Sequence, residues 1–112
     1  MKSTIKNLLL ILLTLTITPI IAHDLKGAVA SEDRTPKNTL RDSSRNPIET
    51  LSFFGIESDM VVIELSPGGG WYTEILANYI HYPGTLIAAH WSKDSEISYY
   101  RRGRANFDKK MS

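Results

Sequence analysis

The sequence predicts an α/β fold in the order helix–strand–helix–strand–helix. Two observations lead there. Val61, Val62, Ile63 and Leu65, and again Thr85-Leu86-Ile87-Ala88-Ala89-His90, are apolar runs of strand length. Between them Trp71, Ile75, Leu76, Tyr79 and Ile80 fall on one broad helical face. Two apolar strands joined by a helix form a right-handed βαβ unit with parallel strands. At 112 residues there is room for one small domain at most.

The chain opens with Lys2 and Lys6 ahead of an apolar stretch from Leu8 to Ile21, followed by Ala22. A basic start, an apolar centre and a small residue describe a secretory signal peptide over 1–22. Ile20 and Ala22 take the −3 and −1 positions, so cleavage is expected after Ala22 and the product is expected to be exported, periplasmic or secreted. An uncleaved anchor is the alternative, but the run is short for a span of about 20 residues. There is no cysteine, hence no lipoprotein attachment and no disulfide. Removing Lys2 and Lys6 from the 13 basic side chains leaves 11 against 12 acidic ones. That near-neutral balance calls for no nucleic-acid partner, and the membrane is met only transiently through the signal peptide.

Residues 23–44 are polar, mixed in charge and poor in large apolar side chains, and read as a mobile N-terminal arm. Most of its charges are expected to be solvated, with Arg41 and Arg45 the two that could reach a site. Asn46 to Gly55 reads as a helix. Asn46 caps it, Pro47 fits the first helical position, and Glu49 completes a capping box. Ile48, Leu51 and Phe54 are expected to face the core, and Gly55 to end the helix in a left-handed conformation. Ile56 to Asp59 connects to the first strand.

The run Val61 to Leu65 suits a strand covered on both faces. Glu64 interrupts it near its C-terminal end, where the strand emerges into a crevice; a carboxylate buried without a partner would be costly. Ser66-Pro67-Gly68-Gly69-Gly70 stops regular structure: Pro67 lacks an N–H, and the glycines leave no Cβ in the way of a ligand. A strand, a glycine turn and a helix over Trp71–Ile80 is how Rossmann-like folds begin their ligand site, at the C-terminal edge of the sheet. His81-Tyr82-Pro83-Gly84 is a turn by composition. After the second strand, Ser92 onward reads as a helix with Ile97, Tyr100, Phe107 and Met111 on one face. Arg101, Arg102, Arg104, Lys109 and Lys110 lie mostly elsewhere, as a solvated basic face.

The segment Val61–Leu76 resembles motif I of the class I S-adenosylmethionine-dependent methyltransferases, where an acid ending the first strand precedes a G-x-G-x-G loop. Glu64 takes the acid position and Ser66, Gly68 and Gly70 the glycine positions, with serine where the usual pattern has glycine. Arg45 through Leu76 is more specifically similar to a group of exported, predicted methyltransferases with a PGGGWYTE-type loop, and the resemblance covers roughly Arg41 to Met111. It implies a Rossmann-like methyltransferase fold, here truncated, with residues 45–112 as a partial domain. It implies S-adenosylmethionine as small-molecule cofactor, bound by Glu64, Ser66, Pro67, Gly68, Gly69, Gly70 and His90. Glu64 would face the methionine end, the loop would form the floor, and His90 would approach the ribose. In nucleoside-binding relatives the second strand often ends in an acid that holds the ribose hydroxyls. Here it ends Ala89-His90-Trp91, with Trp91 placed to stack on adenine and Asp94 a few residues on.

A complete enzyme of this type resembles a seven-stranded sheet. The expectation is therefore an N-terminal, cofactor-binding fragment, inactive by itself, with catalytic residues and methyl acceptor left open. The alternative is a non-catalytic exported binding or scaffolding domain that kept the fold. A nicotinamide or flavin dinucleotide site fits less well, because the third glycine of that pattern would fall at Thr73. The three histidines share no ligand-like spacing, so no metal site is expected. Ser66 does not sit in the G-x-S-x-G elbow of hydrolases.

Overall fold

A computed structural model describes residues 24–112, and the expected signal peptide lies outside the described residues. Eight elements follow in order: α1 (Leu25–Val29), α2 (Pro36–Thr39), α3 (Asp42–Arg45), α4 (Pro47–Phe53), β1 (Val61–Leu65), α5 (Trp71–Tyr79), β2 (Thr85–Ala89) and α6 (Ser98–Met111). The strands form a two-stranded parallel sheet, with Val62 opposite Leu86 and Glu64 opposite Ala88. This is the expected strand–helix–strand unit, a small α/β arrangement. Among the described residues no helix is long and apolar enough to cross a membrane.

The core gathers around α5. Ile75 is fully buried, and Trp71, Leu76 and Tyr79 join it with Ala28 of α1 and Leu51 of α4. The sheet contributes only Val62 and Leu86. Side chains alternate across a strand, so Val61, Ile63 and Leu65 point the other way and stay exposed, as Ile87 does. The expectation that β1 is covered on both faces is thus corrected. The helices of the core cluster meet one face of the sheet alone.

The expected mobile arm over 23–44 is also corrected. From Asp24 onward it folds into three short helices docked on α5 and α4. Asp24 Oδ1 caps α1 by accepting from the Gly27 amide. Arg34, only 3% exposed, donates two hydrogen bonds to Asp42 (2.6 and 2.9 Å) and one to the Val29 carbonyl. The Trp71 indole N–H donates to the Asn38 carbonyl at 2.9 Å. Composition hides this because the groups being buried are polar. The Arg34 amino groups, the Asn38 carbonyl and the Trp71 indole are buried with partners, which offsets part of the desolvation penalty, while Arg34 Nε and Asn38 Nδ2 have none among the described residues.

Two details of α4 differ from expectation. Asn46 forms no side-chain cap. It adopts a left-handed conformation (φ 45°) that ends α3 and starts α4, a region asparagine tolerates better than most residues. Phe54 is 67% exposed rather than in the core. The C-terminus is as expected: the Gly55 amide donates to Ser52 and the Ile56 amide to Leu51, the paired bonds of a Schellman end. The last helix starts at Ser98 rather than Ser92. The Ser92 and Ser95 hydroxyls accept from the amides of Asp94 and Ile97, and such local bonds compete with helix.

Candidate functional site

The segment 66–70 crosses the C-terminal end of β1. The Ser66 amide still donates to Ala89 of β2, at 2.9 Å, and then the backbone turns sharply. Ser66, Gly68 and Gly70 all have positive φ, at 54°, 58° and 81°. These are the three positions of the glycine pattern. An L side chain in that region costs roughly 1–2 kcal/mol, which glycine avoids. Ser66→Gly should therefore stabilise the fold by about 0.5–1 kcal/mol, after subtracting the greater freedom of glycine in the unfolded chain. Urea denaturation would measure the gain. Gly69 is different: its φ is unstrained and an added Cβ would meet nothing within 4 Å.

Glu64 lies where the strand ends, partly buried. The Thr73 hydroxyl, from the first turn of α5, donates to its Oε2 at 2.6 Å. Burial pushes the Glu64 carboxyl above its usual value of 4.5. The hydroxyl and amide of Thr73 and the nearby His90 oppose that without cancelling it. Perturbed carboxyls beside a crevice mark candidate sites when the geometry agrees. Here a recess of about 320 Å³ opens beside Glu64, lined also by Arg41, Arg45, Ser66, Gly68 and Tyr72. Pro67 and Gly69 border it too. The Arg45 guanidinium sits 5.0 Å from the centre of the Trp71 ring, which fixes it above the core.

Other expected residues fall elsewhere. Gly70 is buried, and a Cβ there would come 2.5 Å from the Met111 methyl and 3.5 Å from the Phe107 ring. It lets α6 pass close and does not border this recess. His90 is a loop support rather than a free donor. Its Nδ1 accepts from the Trp91 amide at 2.8 Å, which leaves the proton on Nε2 to donate to the Gly68 carbonyl at 3.2 Å. Trp91 stacks on Tyr100, ring centres 4.5 Å apart. Asp94 is exposed and lies outside this recess. Thr73 and Glu74 stand in the sequence only as the end of the PGGGWYTE-type loop, with no role of their own. Glu74 is 8% exposed and bridges three segments, taking hydrogen bonds from the Thr35 hydroxyl and amide and an ion pair from Lys110. Lys110 also donates to the Gly69 carbonyl at 2.9 Å.

Among the described residues no group of histidine, aspartate and glutamate could hold a metal ion. No family model, curated protein or solved structure matches the chain.

Proposed function

We propose that these residues form the cofactor-binding part of an exported class I S-adenosylmethionine-dependent methyltransferase with a Rossmann-like fold. The observation that carries the reading is the recess beside Glu64. It sets one half-buried carboxylate and two guanidiniums, Arg41 and Arg45, around a loop that leaves room for a ligand. An amino-acid end needs that pairing: an anion for its ammonium and cations for its carboxylate. S-adenosylmethionine adds a sulfonium, whose positive charge a nearby carboxylate also favours. In this reading Glu64 faces the ammonium side, Arg41 and Arg45 hold the carboxylate, and Ser66, Gly68 and Gly69 form the floor. His90 and Thr73 act one step back, by holding Gly68 and Glu64 in place. The cofactor would supply the electrophilic methyl group, and the chain's part is to position it, which is where much of the acceleration of such a displacement arises. Export rests on the Leu8–Ile21 run and the small residues before His23.

The test is calorimetric titration of the full chain with S-adenosylmethionine. Saturable binding is expected, weakened by about ten-fold or more in Gly69→Asp. That substitution adds no backbone strain or clash but places a carboxylate among the arginines. Absence of binding by the wild type, or equal binding by Gly69→Asp, would overturn the reading. A folded protein that binds a partner protein independently of Glu64, and no cofactor, would favour the scaffolding alternative.

A further inference from the structure

A second opening lies across the glycine loop from the first. Helix α6 turns one face toward it, with Tyr99, Arg102 and Lys110 recurring at helical spacing and Phe107 buried near its end. With Trp91 and the backbone of Gly68 and Gly69 they enclose about 470 Å³, inside the range of about 300–1,000 Å³ typical of small-molecule sites. Three aromatic side chains, Trp91, Tyr99 and Phe107, form part of its wall. The Trp91 indole is held from behind by Tyr100, and by α6 at Gly103, where an added Cβ would come 3.1 Å from the ring. Tyr99 lies 5.9 Å from Trp91, centre to centre, and is 64% exposed.

The charge of this opening has one sign. Arg102 and Lys110 line it and no carboxylate does. The Lys110 charge is already met by Glu74 at 2.5 Å. Among the described residues Arg102 has no hydrogen bond or ion pair, whereas Arg101 and Arg104 beside it bind backbone carbonyls. An aromatic wall next to an uncommitted guanidinium suits a flat π-face joined to an anion. The ring gains stacking, and the anion gains charge-assisted, often bidentate, hydrogen bonds.

We infer that this cavity binds a planar aromatic ligand carrying an anionic group, its ring against Trp91 and Tyr99 and its anion on Arg102. The anion is either the phosphate of a nucleoside monophosphate or the carboxylate of an aromatic acid. The cavity shares Trp91, Gly68 and Gly69 with the methyl-transfer reading, but the anion on Arg102 is no part of that reading, and neither Glu64, Arg41 nor Arg45 lines it.

The experiment is calorimetric titration of the full chain, separately, with adenosine 5′-monophosphate and with indole-3-acetate, using adenosine and inorganic phosphate as references. At least one of the two anions should bind saturably, and which one is tighter identifies the source of the charge. Adenosine and phosphate should each bind about ten-fold more weakly or worse, and Arg102→Ala should weaken the preferred anion by about ten-fold, the loss of one charge-assisted contact. Arg102 is exposed on a helix that tolerates alanine, so far-UV circular dichroism and melting of the variant should match the wild type. Any one of three results overturns the inference: neither anion binding at millimolar concentration, adenosine binding as tightly as its monophosphate, or Arg102→Ala binding like the wild type. Weakening by Arg41→Ala instead would also overturn it, by placing the anion in the other recess.

Discussion

Trp71→Ala is expected to destabilise the protein by about 3–5 kcal/mol, the range for truncating a buried tryptophan. Trp71 is 4% exposed, and its ring joins the first turn of α5 to the segment that precedes α4. Two losses combine. Truncation leaves a cavity between α5 and the segment before α4, and its cost depends on how far the surroundings can close over it. The Asn38 carbonyl also loses the indole donor and keeps only the Arg41 amide at 3.0 Å, a loss of one hydrogen bond, about 0.5–1.5 kcal/mol. Domains of ordinary stability have about 5–15 kcal/mol in total, so a large share of the molecules should be unfolded at 37 °C. Trp71→Phe separates the two losses. It keeps most of the ring, and it should lose only about 0.5–1.5 kcal/mol for the missing N–H, because the Arg41 amide still satisfies the Asn38 carbonyl. Urea denaturation followed by far-UV circular dichroism measures both variants, and equal stability of Trp71→Ala and wild type would show that the arm is not docked on this ring.

Glu74→Gln comes next, with an expected loss of about 2–3 kcal/mol at neutral pH. Breaking one partner out of a fully buried ion pair costs about 3–5 kcal/mol. The lower figure applies because the Lys110 side chain is 29% exposed and keeps its bond to Gly69. The pH dependence has a definite sign. Burial works against the ionised form of Glu74, but the contacts from Lys110 and Thr35 outweigh it and hold the carboxyl below 4.5. A group depressed in the folded state stabilises above its unfolded value, and that stability is lost as the pH falls through the folded one. The gap between wild type and Glu74→Gln should therefore narrow below about pH 4.5. Glu64 runs the other way. Its raised carboxyl favours the protonated folded state, so whatever it contributes is present at low pH and lost as the pH rises through its folded value. Thermal melts of Glu74→Gln and Glu64→Gln from pH 3 to 8 should show opposite slopes relative to the wild type.

The elements with an apolar period were legible from the sequence. β1, α5 and β2 lie within a residue of where their apolar runs place them, and the core takes Ile75 and Leu76 from α5 with Val62 and Leu86 from the strands. The glycine positions were legible too, and the backbone gives their reason: Ser66, Gly68 and Gly70 share left-handed φ, so the serine at the first of them is the strained one. The segment from Asp24 to Arg45 was illegible because its anchors are polar. Arg34, Thr35 and Asn38 look solvated in any composition window, and only the fold reveals Asp42, Glu74 and the Trp71 indole as their partners. Glu64 was readable as the acid at a strand end, but its Thr73 partner lies nine residues on and meets it only through the loop. His90 was misplaced for a related reason. A histidine at a strand end invites a ligand, whereas both of its ring nitrogens are committed to the backbone of Gly68 and Trp91. The exposed face of β1 is the remaining departure: continuous apolar character says that both faces can be buried, not that both are.

The most direct test of the central claim is an amide and side-chain chemical-shift titration of the isotopically labelled full chain with S-adenosylmethionine. Shifts concentrated at Glu64, Ser66, Gly68, Gly69 and Tyr72, together with the guanidinium signals of Arg41 and Arg45, are the predicted result. No shifts at saturating cofactor, or shifts confined to α6 and Trp91, would contradict it.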